Sequence, residues 1–344
     1  MGIRVGIIGT GYGAKVHAPV LLKHPDYELV ALSGVRPGRA RAEAERLSIP
    51  HAFDDWKEMI EASALEMVVI ASEPMVHANM TIAALEAGVH VLCEKPPALN
   101  LDEVKAMKRV ADVQDRHLFI NFEWRYLPER QMIKRILDEG SLGDVIHVHW
   151  RDARGMLDRI REAENTWLWK AERGGGMLGA VGSHMIDALH HWFGEMETVH
   201  GQLVRQIKTR RGVQGLEEST ADDSFMILGM FQKGGTCSVQ FISSAIGVEP
   251  QLEIFGTKGT LVLEGDSLRV ATTPSAEFKD VGLSERMDES GFPAAIQAYI
   301  HPQWTLYTEI ARALAGEKPD SLPDFDDAIR VQSVLDQLRY FNNT

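Results

Sequence analysis

The sequence predicts an α/β fold in two parts, a doubly wound parallel sheet followed by an α+β part on a large, mostly antiparallel open sheet. Three observations predict it. Short apolar runs alternate with amphipathic stretches as far as residue 122. A glycine-rich turn, "GTGYGA" at 9–14, closes the first apolar run and opens a helical pattern. Beyond 140 the apolar residues recur at every second position, the period of half-exposed strands.

The elements follow in order. "IRVGIIG" (3–9) is a strand and "KVHAPVLLKH" (15–24) a helix; "YELVALSG" (27–34) is a strand and "ARAEAERLS" (40–48) a helix. "DWKEMIEAS" (55–63) is a short helix, "EMVVIAS" (66–72) a strand, and "MVHANMTIAALEAG" (75–88) a helix stopped by Gly88. "HVLCEK" (90–95), "LDEVKAMKRVADVQ" (101–114) and "LFINF" (118–122) complete a strand, helix and strand. This alternation gives parallel strands with right-handed crossovers. "LPERQMIKRILDEG" (127–140) is a helix, "DVIHVHWRDA" (144–153) a strand, and "MLGAVGSHMIDALHHWFG" (177–194) a helix. Strands are expected near 196–208, 222–231, 235–245, 249–256 and 259–263, and helices over 303–315 and 325–342. "FGTKGTLVL" (255–263) is a hairpin signal.

A chain of 344 residues suits two domains, drawn at 1–123 and 124–344, with the final helices packing back on the first. A net charge of −13 argues against a nucleic-acid partner or an anionic membrane, and no apolar run reaches spanning length. Cys93 and Cys237 lie in apolar strands without metal spacing, so a reduced pair in a cytoplasmic protein is expected.

Gly9, Gly11 and Ala14 match G-x-G-x-x-G/A in the context the chemistry needs, after a strand and opening a helix. Gly9 allows the tight turn, Gly11 lets backbone approach a pyrophosphate, and Ala14 permits close helix–sheet packing. At the tip of the second strand "LSGVRPGRAR" has no acid before Glu43. A carboxylate there would bond a ribose 2′-hydroxyl, whereas Arg36 with Ser33 beside it suits a 2′-phosphate, so NADP(H) is favoured over NAD(H).

The ordered motifs "GTGYGA", "HVLCEKP" and "GGGMLGAVGSHMID", with "EP" before His77, "ALEAG", "GSLGDV" and "FGTKGTL", resemble the Gfo/Idh/MocA oxidoreductases over essentially the whole chain. The resemblance implies an N-terminal Rossmann domain, a C-terminal open sheet, a nicotinamide cofactor at the strand tips and a homodimer or homotetramer. It implies that Lys95 exchanges a proton at the reacting hydroxyl or carbonyl, that Glu94 supports the ribose region, and that Pro96 follows a cis bond. The cofactor residues are then Gly9, Thr10, Gly11, Tyr12, Ala14, Ser33, Arg36, Ala71, Ser72, His77, Glu94, Lys95 and Asn121. The residues agree on their own terms: ligands of open α/β sheets bind beyond the carboxyl ends of the strands, where Lys95 lies, and a desolvated lysine has a lowered pKa suited to proton exchange.

His184 and Asp187 are three apart and share a helix face. They match the histidine and the later aspartate of the family's catalytic pattern, whose earlier aspartate is here Ala180. Either Asp187 orients His184 from one turn away, or Lys95 is the sole acid/base. His190 and His191 in the last turn complement the helix dipole, and no metal site is expected. Trp124, Arg125 and Trp167 are expected to line the substrate pocket. Arg151, Arg154, Arg159, Arg161 and Arg173, diluted by Glu162, Glu164 and Glu172, read mostly as surface ion pairs. The expected function is hydride transfer between a nicotinamide and a sugar, polyol or related hydroxy or keto compound, a small-molecule substrate. The alternatives are an enzyme that cleaves or epimerises a glycoside with its cofactor retained, and a dinucleotide-binding sensor without turnover.

Overall fold

The computed structural model describes residues 2–155 and 162–343. They form two compact units, Met1–Tyr126 with Arg286–Ile329, and Leu127–Glu285 with Arg330–Thr344.

The first unit holds a parallel sheet of β1 (Ile3–Ile8), β2 (Tyr27–Ser33), β3 (His51–Phe53), β4 (Met67–Ile70), β5 (His90–Cys93) and β6 (Leu118–Ile120), in the order β3-β2-β1-β4-β5-β6. The order reverses between β1 and β4, which creates the crevice where ligands of such sheets bind. Met67–Ile70 is buried along its whole length because helices cover both faces. The helices are α1 (Ala18–Leu21), α2 (Arg39–Leu47), α3 (Trp56–Ala62), α4 (Pro74–Glu86) and α5 (Leu101–Gln114). The expected helix at 15–24 begins instead as a π-turn over Gly13–His17. Asp55 caps α3 by accepting from Lys57 N, and Asn100 caps α5 by accepting from Glu103 N. Strand β3 was not expected, since three residues carry too little alternation to read.

Residues 286–329 belong to this unit through α8 (Gln297–Leu314), whose Ile300, Leu306, Tyr307 and Ile310 share a buried cluster with Val5, Ile7, Leu32 and Val69. The helix starts six residues earlier than the expected 303, with Pro302 inside it. Pro302 has no N–H for the carbonyl of Ala298; Arg286 Nη2 donates to that oxygen at 3.1 Å and makes the proline tolerable.

The second unit begins with α6 (Pro128–Asp138) and holds an eight-stranded sheet. Its strands are β7 (Val145–Ala153), β8 (Met196–Val204), β11 (Ser224–Phe231), β12 (Thr236–Ile242), β13 (Gln251–Gly256), β14 (Gly259–Glu264), β15 (Ser267–Thr272) and β16 (Lys279–Asp280). A separate hairpin pairs β9 (Thr209–Gly212) with β10 (Gly215–Glu218). The order is β16-β15-β14-β13-β7-β12-β11-β8, antiparallel throughout except for the parallel β7–β12 pair. One face is core, with Val148, Trp150, Ile227, Val239 and Ile254 buried. The helix α7 (Ser183–Phe193) buries Met185, Ile186 and Leu189. The other face carries Met226, Leu228 and Met230, which are exposed. The final helix, α9 (Phe325–Asn343), starts in the first unit and runs through residues of the second. Among the described residues no helix is long and apolar enough to cross a membrane.

Candidate active site

The crevice between β1 and β4 is built by glycine. Gly9 has φ +131°, a region closed to side chains, and a Cβ there would run into the carbonyl of Ala71 at the tip of β4. Gly9 N donates to Ser33 O, which ties the tips of β1 and β2 together. Gly11 faces open space, so its backbone is accessible to a ligand, while Gly13 and Ala14 are packed against the sheet side. Thr10 lies against Gly34, where a Cβ would come within 2.7 Å of the threonine methyl. Ser33 is buried, and its Oγ has no hydrogen-bond partner in the protein, an orphan hydroxyl at the tip of β2. Arg36 is exposed in the loop that follows, whose Gly38 N is held by Asp54 Oδ1 at 3.0 Å. Ala71 and Ser72 stand on the tip of β4, with Ser72 Oγ 3.4 Å from Met80 Sδ. Tyr12 packs edge-on against His17 and Tyr299. Accessible backbone at Gly11, at the crevice where the strand order reverses, and the orphan Ser33 hydroxyl at the tip of β2 are compatible with a nicotinamide dinucleotide on this edge.

Lys95 follows the carboxyl end of β5 and is half-buried, and the Lys95–Pro96 peptide is cis. His77, wholly buried on α4, brackets this tip, with Nδ1 3.1 Å from Pro96 O and Nε2 3.3 Å from Ser72 O. Burial pushes its imidazole pKa down, against the pull of Glu94 and the carbonyls. Glu94 is the hub. Its Oε1 accepts from His17 Nε2 at 2.9 Å and Asn121 Nδ2 at 2.5 Å, and its Oε2 from Lys95 N at 3.1 Å. Burial alone would raise this carboxyl; the His17 hydrogen bond and the charge of Lys95 reverse that and hold it below its ordinary value. Asn121 is fully enclosed, its amide shared between Glu94 and Gln303.

In the second unit, residues 175–177 lead into a π-turn, Leu178–Gly182, that continues as α7. Gly175 runs beside the carbonyls of Trp167 and Leu168, and a Cβ would strike both. Gly176 has φ +109°, and a Cβ there would overlap Asp222 Oδ1. Asp222 caps the segment, accepting from Leu178 N at 2.7 Å. His184 and Asp187 are both buried in α7. The half-buried Ala180 lies in the π-turn, four residues before His184. Arg130 of α6 is buried over the Trp150 ring at 4.6 Å and the Trp192 ring at 6.0 Å. Burial pushes its guanidinium down to about 10, opposed by Glu129, Asp152 and Asp187.

Trp124 and Trp167 are half-buried. Arg125 is buried and paired with Asp327 at 2.9 Å, so its charge is answered within its own unit. Trp169 is covered by Arg210 at 3.6 Å, which anchors the segment carrying Trp167. Arg154 pairs with Asp152 through two bonds of 2.7 and 2.8 Å, whereas Arg159 and Arg161 lie outside the described residues. The structure gathers Gly9, Gly11, Ser33, Ala71, Ser72 and Lys95 at the carboxyl ends of one sheet. His17, Gln303 and Tyr307 in the first unit, and Asp222 and Arg130 in the second, had not been expected. The one available signal was "QWTLY", which puts Gln303 and Tyr307 four apart on one helix face. No group of three metal-ligating side chains is assembled among the described residues.

Comparison with known proteins matches residues 3–122 to the "Oxidoreductase family, NAD-binding Rossmann fold" and residues 130–262 to the "GFO/IDH/MocA C-terminal domain". The chain is 31% identical over 275 residues to an oxidoreductase of Synechocystis sp., covering 78% of this chain and 73% of that one. It is 27% identical over 334 residues to levoglucosan dehydrogenase of Pseudarthrobacter phenanthrenivorans, covering 87% and 81%. A solved levoglucosan dehydrogenase in complex with NADH and levoglucosan superimposes with a TM-score of 0.86 at 25% identity, over 99% of this chain and 96% of that one. The matches take in the whole parallel sheet and most of the second one, and the chain therefore belongs to the Gfo/Idh/MocA oxidoreductases, enzymes built on a nicotinamide-dinucleotide-binding Rossmann domain.

Proposed function

We propose that the protein is a dehydrogenase of a sugar, polyol or related hydroxy compound, in which Lys95 exchanges the hydroxyl proton and His184 assists. Relatives named levoglucosan dehydrogenase and, at 29% identity over 277 residues, myo-inositol 2-dehydrogenase of Thermotoga maritima support a cyclic polyhydroxy substrate. The observation that carries the reading is the Lys95 tip, with its amide held by Glu94 Oε2, beside a glycine turn open at Gly11. When bound, the nicotinamide supplies the hydride chemistry. The protein's share is to hold the dinucleotide on Gly9–Ala14, Ser33, Ala71 and Ser72, to move a proton at Lys95 Nζ, and to orient the hydroxyl with His184. Trp124 and Trp167 are the proposed walls for the substrate ring. The proposed division is cofactor on residues 1–123 and substrate on 124–344, of which 286–329 pack with the first unit.

NADP(H) is the proposed cofactor in preference to NAD(H). Support comes from the orphan Ser33 hydroxyl and the exposed Arg36 at a strand tip with no adjoining carboxylate. The exposed Met226, Leu228 and Met230 suit assembly into a homodimer or homotetramer through the C-terminal sheet. The free thiols of Cys93 and Cys237 suit the reducing cytoplasm.

Incubation with NADP⁺ or NAD⁺ and a panel of sugars, polyols and sugar acids, followed at 340 nm, tests the activity. Lys95→Ala should lower kcat by about 10³-fold while cofactor binding is kept; normal turnover in that variant sinks the mechanism. Arg36→Ala should raise KM for NADP⁺ by about tenfold, or ~1.4 kcal/mol, and leave that for NAD⁺ nearly unchanged; equal effects would reject the NADP preference. Ala180 favours a second reading, a dinucleotide-binding sensor. Tight cofactor binding without reduction by any compound of the panel would establish it.

A further inference from the structure

A continuous string of buried polar side chains runs through the first unit: Tyr307, His17, Glu94, Asn121 and Gln303. All but Glu94 have no exposure at all, and Glu94 has 7%. Tyr307 Oη lies 2.7 Å from His17 Nδ1, and His17 Nε2 lies 2.9 Å from Glu94 Oε1. At the other end Asn121 and Gln303 exchange two amide bonds of 3.2 and 3.1 Å. An ionised carboxylate only accepts, so the His17 nitrogen facing it carries a proton. In the neutral ring Nδ1 then accepts from the Tyr307 hydroxyl. The backbone of Tyr307 is itself held, its carbonyl accepting from Tyr27 Oη at 2.7 Å.

This string costs a set of apolar contacts that a core of leucines and phenylalanines would supply, and each member must be satisfied for it to hold. It links α8, the glycine-led turn, the tip of β5 and the segment after β6. It terminates, through Glu94 Oε2, on the amide of Lys95. Fold stability alone does not require that terminus.

We propose that His17 and Tyr307 are positioning residues for Lys95: they fix the Glu94 carboxylate, and Glu94 fixes the backbone from which the lysine reaches the reacting hydroxyl. The inference rests on the Lys95 role proposed above. His17 touches no reacting atom, so it acts on the rate through geometry.

Three variants test it. Tyr307→Phe removes one hydroxyl, His17→Gln keeps a donor toward Glu94, and His17→Leu removes both ring nitrogens. Tyr307→Phe and His17→Leu should lower kcat by about tenfold or more, with KM for the cofactor within about twofold, and His17→Gln should recover part of the loss. A second readout needs no cofactor or substrate. Reductive ¹³C-methylation of the cofactor-free protein gives a Lys95 signal, assigned by its loss in Lys95→Arg. That signal should move in Tyr307→Phe and His17→Leu, and return toward its original place in His17→Gln. Lowered stability with wild-type kcat and an unmoved Lys95 signal would overturn the proposal. Should His17→Leu fail to fold, Tyr307→Phe decides alone. Should the wild type turn over no hydroxy compound while the Lys95 signal still answers to Tyr307→Phe, the dehydrogenase reading fails and the positioning role stands.

Discussion

Two carboxylates, one in each unit, Glu94 buried and Asp222 half-buried, hold their protons in opposite ways. Burial raises Asp222 to about 6, whereas Glu94 lies below its ordinary value. The difference is in the donors. Glu94 receives His17, Asn121 and the Lys95 amide, with the lysine charge nearby. Asp222 receives Leu178 N and the more distant field of Arg339, while Asp223 beside it works the other way. Burial sets the cost of ionisation, and the number of donors decides whether that cost is met. The same contrast separates the two functional segments. The Lys95 tip is held by polar side chains, the His184 segment by glycines fitted around one capping carboxylate.

The comparison can be broken at three places. The largest effect on stability is expected from Gly176→Ala, which forces a side chain into a positive-φ position overlapping Asp222. We expect a loss of about 3 kcal/mol by urea denaturation; a neutral result would mean that Asp222 is not clamped by glycine. Next comes Glu94→Gln. It keeps the size but sets an amide N–H₂ against donors, at about 2 kcal/mol. The folded pKa of Glu94 is depressed, so its stabilising contribution is present above 4.5 and is lost as pH falls through the folded value. The gap between wild type and Glu94→Gln should therefore close on acidification below 4.5.

Asp222→Asn should change stability least, by roughly 1 kcal/mol or less below pH 4, where the wild-type carboxyl is neutral too and the amide carbonyl still accepts from Leu178 N. Its pH dependence runs the other way. A folded pKa raised from 3.8 to about 6 favours the fold most below 3.8, and that advantage disappears as pH rises to about 6. Wild type should lose stability relative to Asp222→Asn between about pH 4 and 6. A gap that is flat over that window, measured by denaturant titration, would show that Asp222 is not desolvated as described.

Much of the fold was legible because its signals are local. The run "EMVVIAS" reads as a strand, "GTGYGA" as a turn before a helix, and "MLGAVGSHMIDALHHWFG" as a helix. Strand β3 was too short to show a period, and Pro302 hid the first turns of α8 because its compensation, Arg286, lies sixteen residues upstream. In the site, glycines and Lys95 announced themselves by motif. His17 did not, since its partners lie 77 and 290 residues away in the chain. Nor did the burial of Arg125 and Asn121, each answered by a residue far along the sequence, Asp327 and Gln303. Long-range polar pairing leaves no periodic trace.

The parallel pair in the otherwise antiparallel sheet has a consequence for how the chain assembles. Strand β7 sits between β12 and β13, and both are made long after it: His147 pairs with Thr236 on one side and Phe255 on the other. During synthesis β7 therefore waits with both edges open while more than eighty residues emerge. Its loop closures are long, which slows folding, and an unpaired apolar strand is what chaperones recognise. The centre of the finished sheet is thus the strand that waits longest for its neighbours.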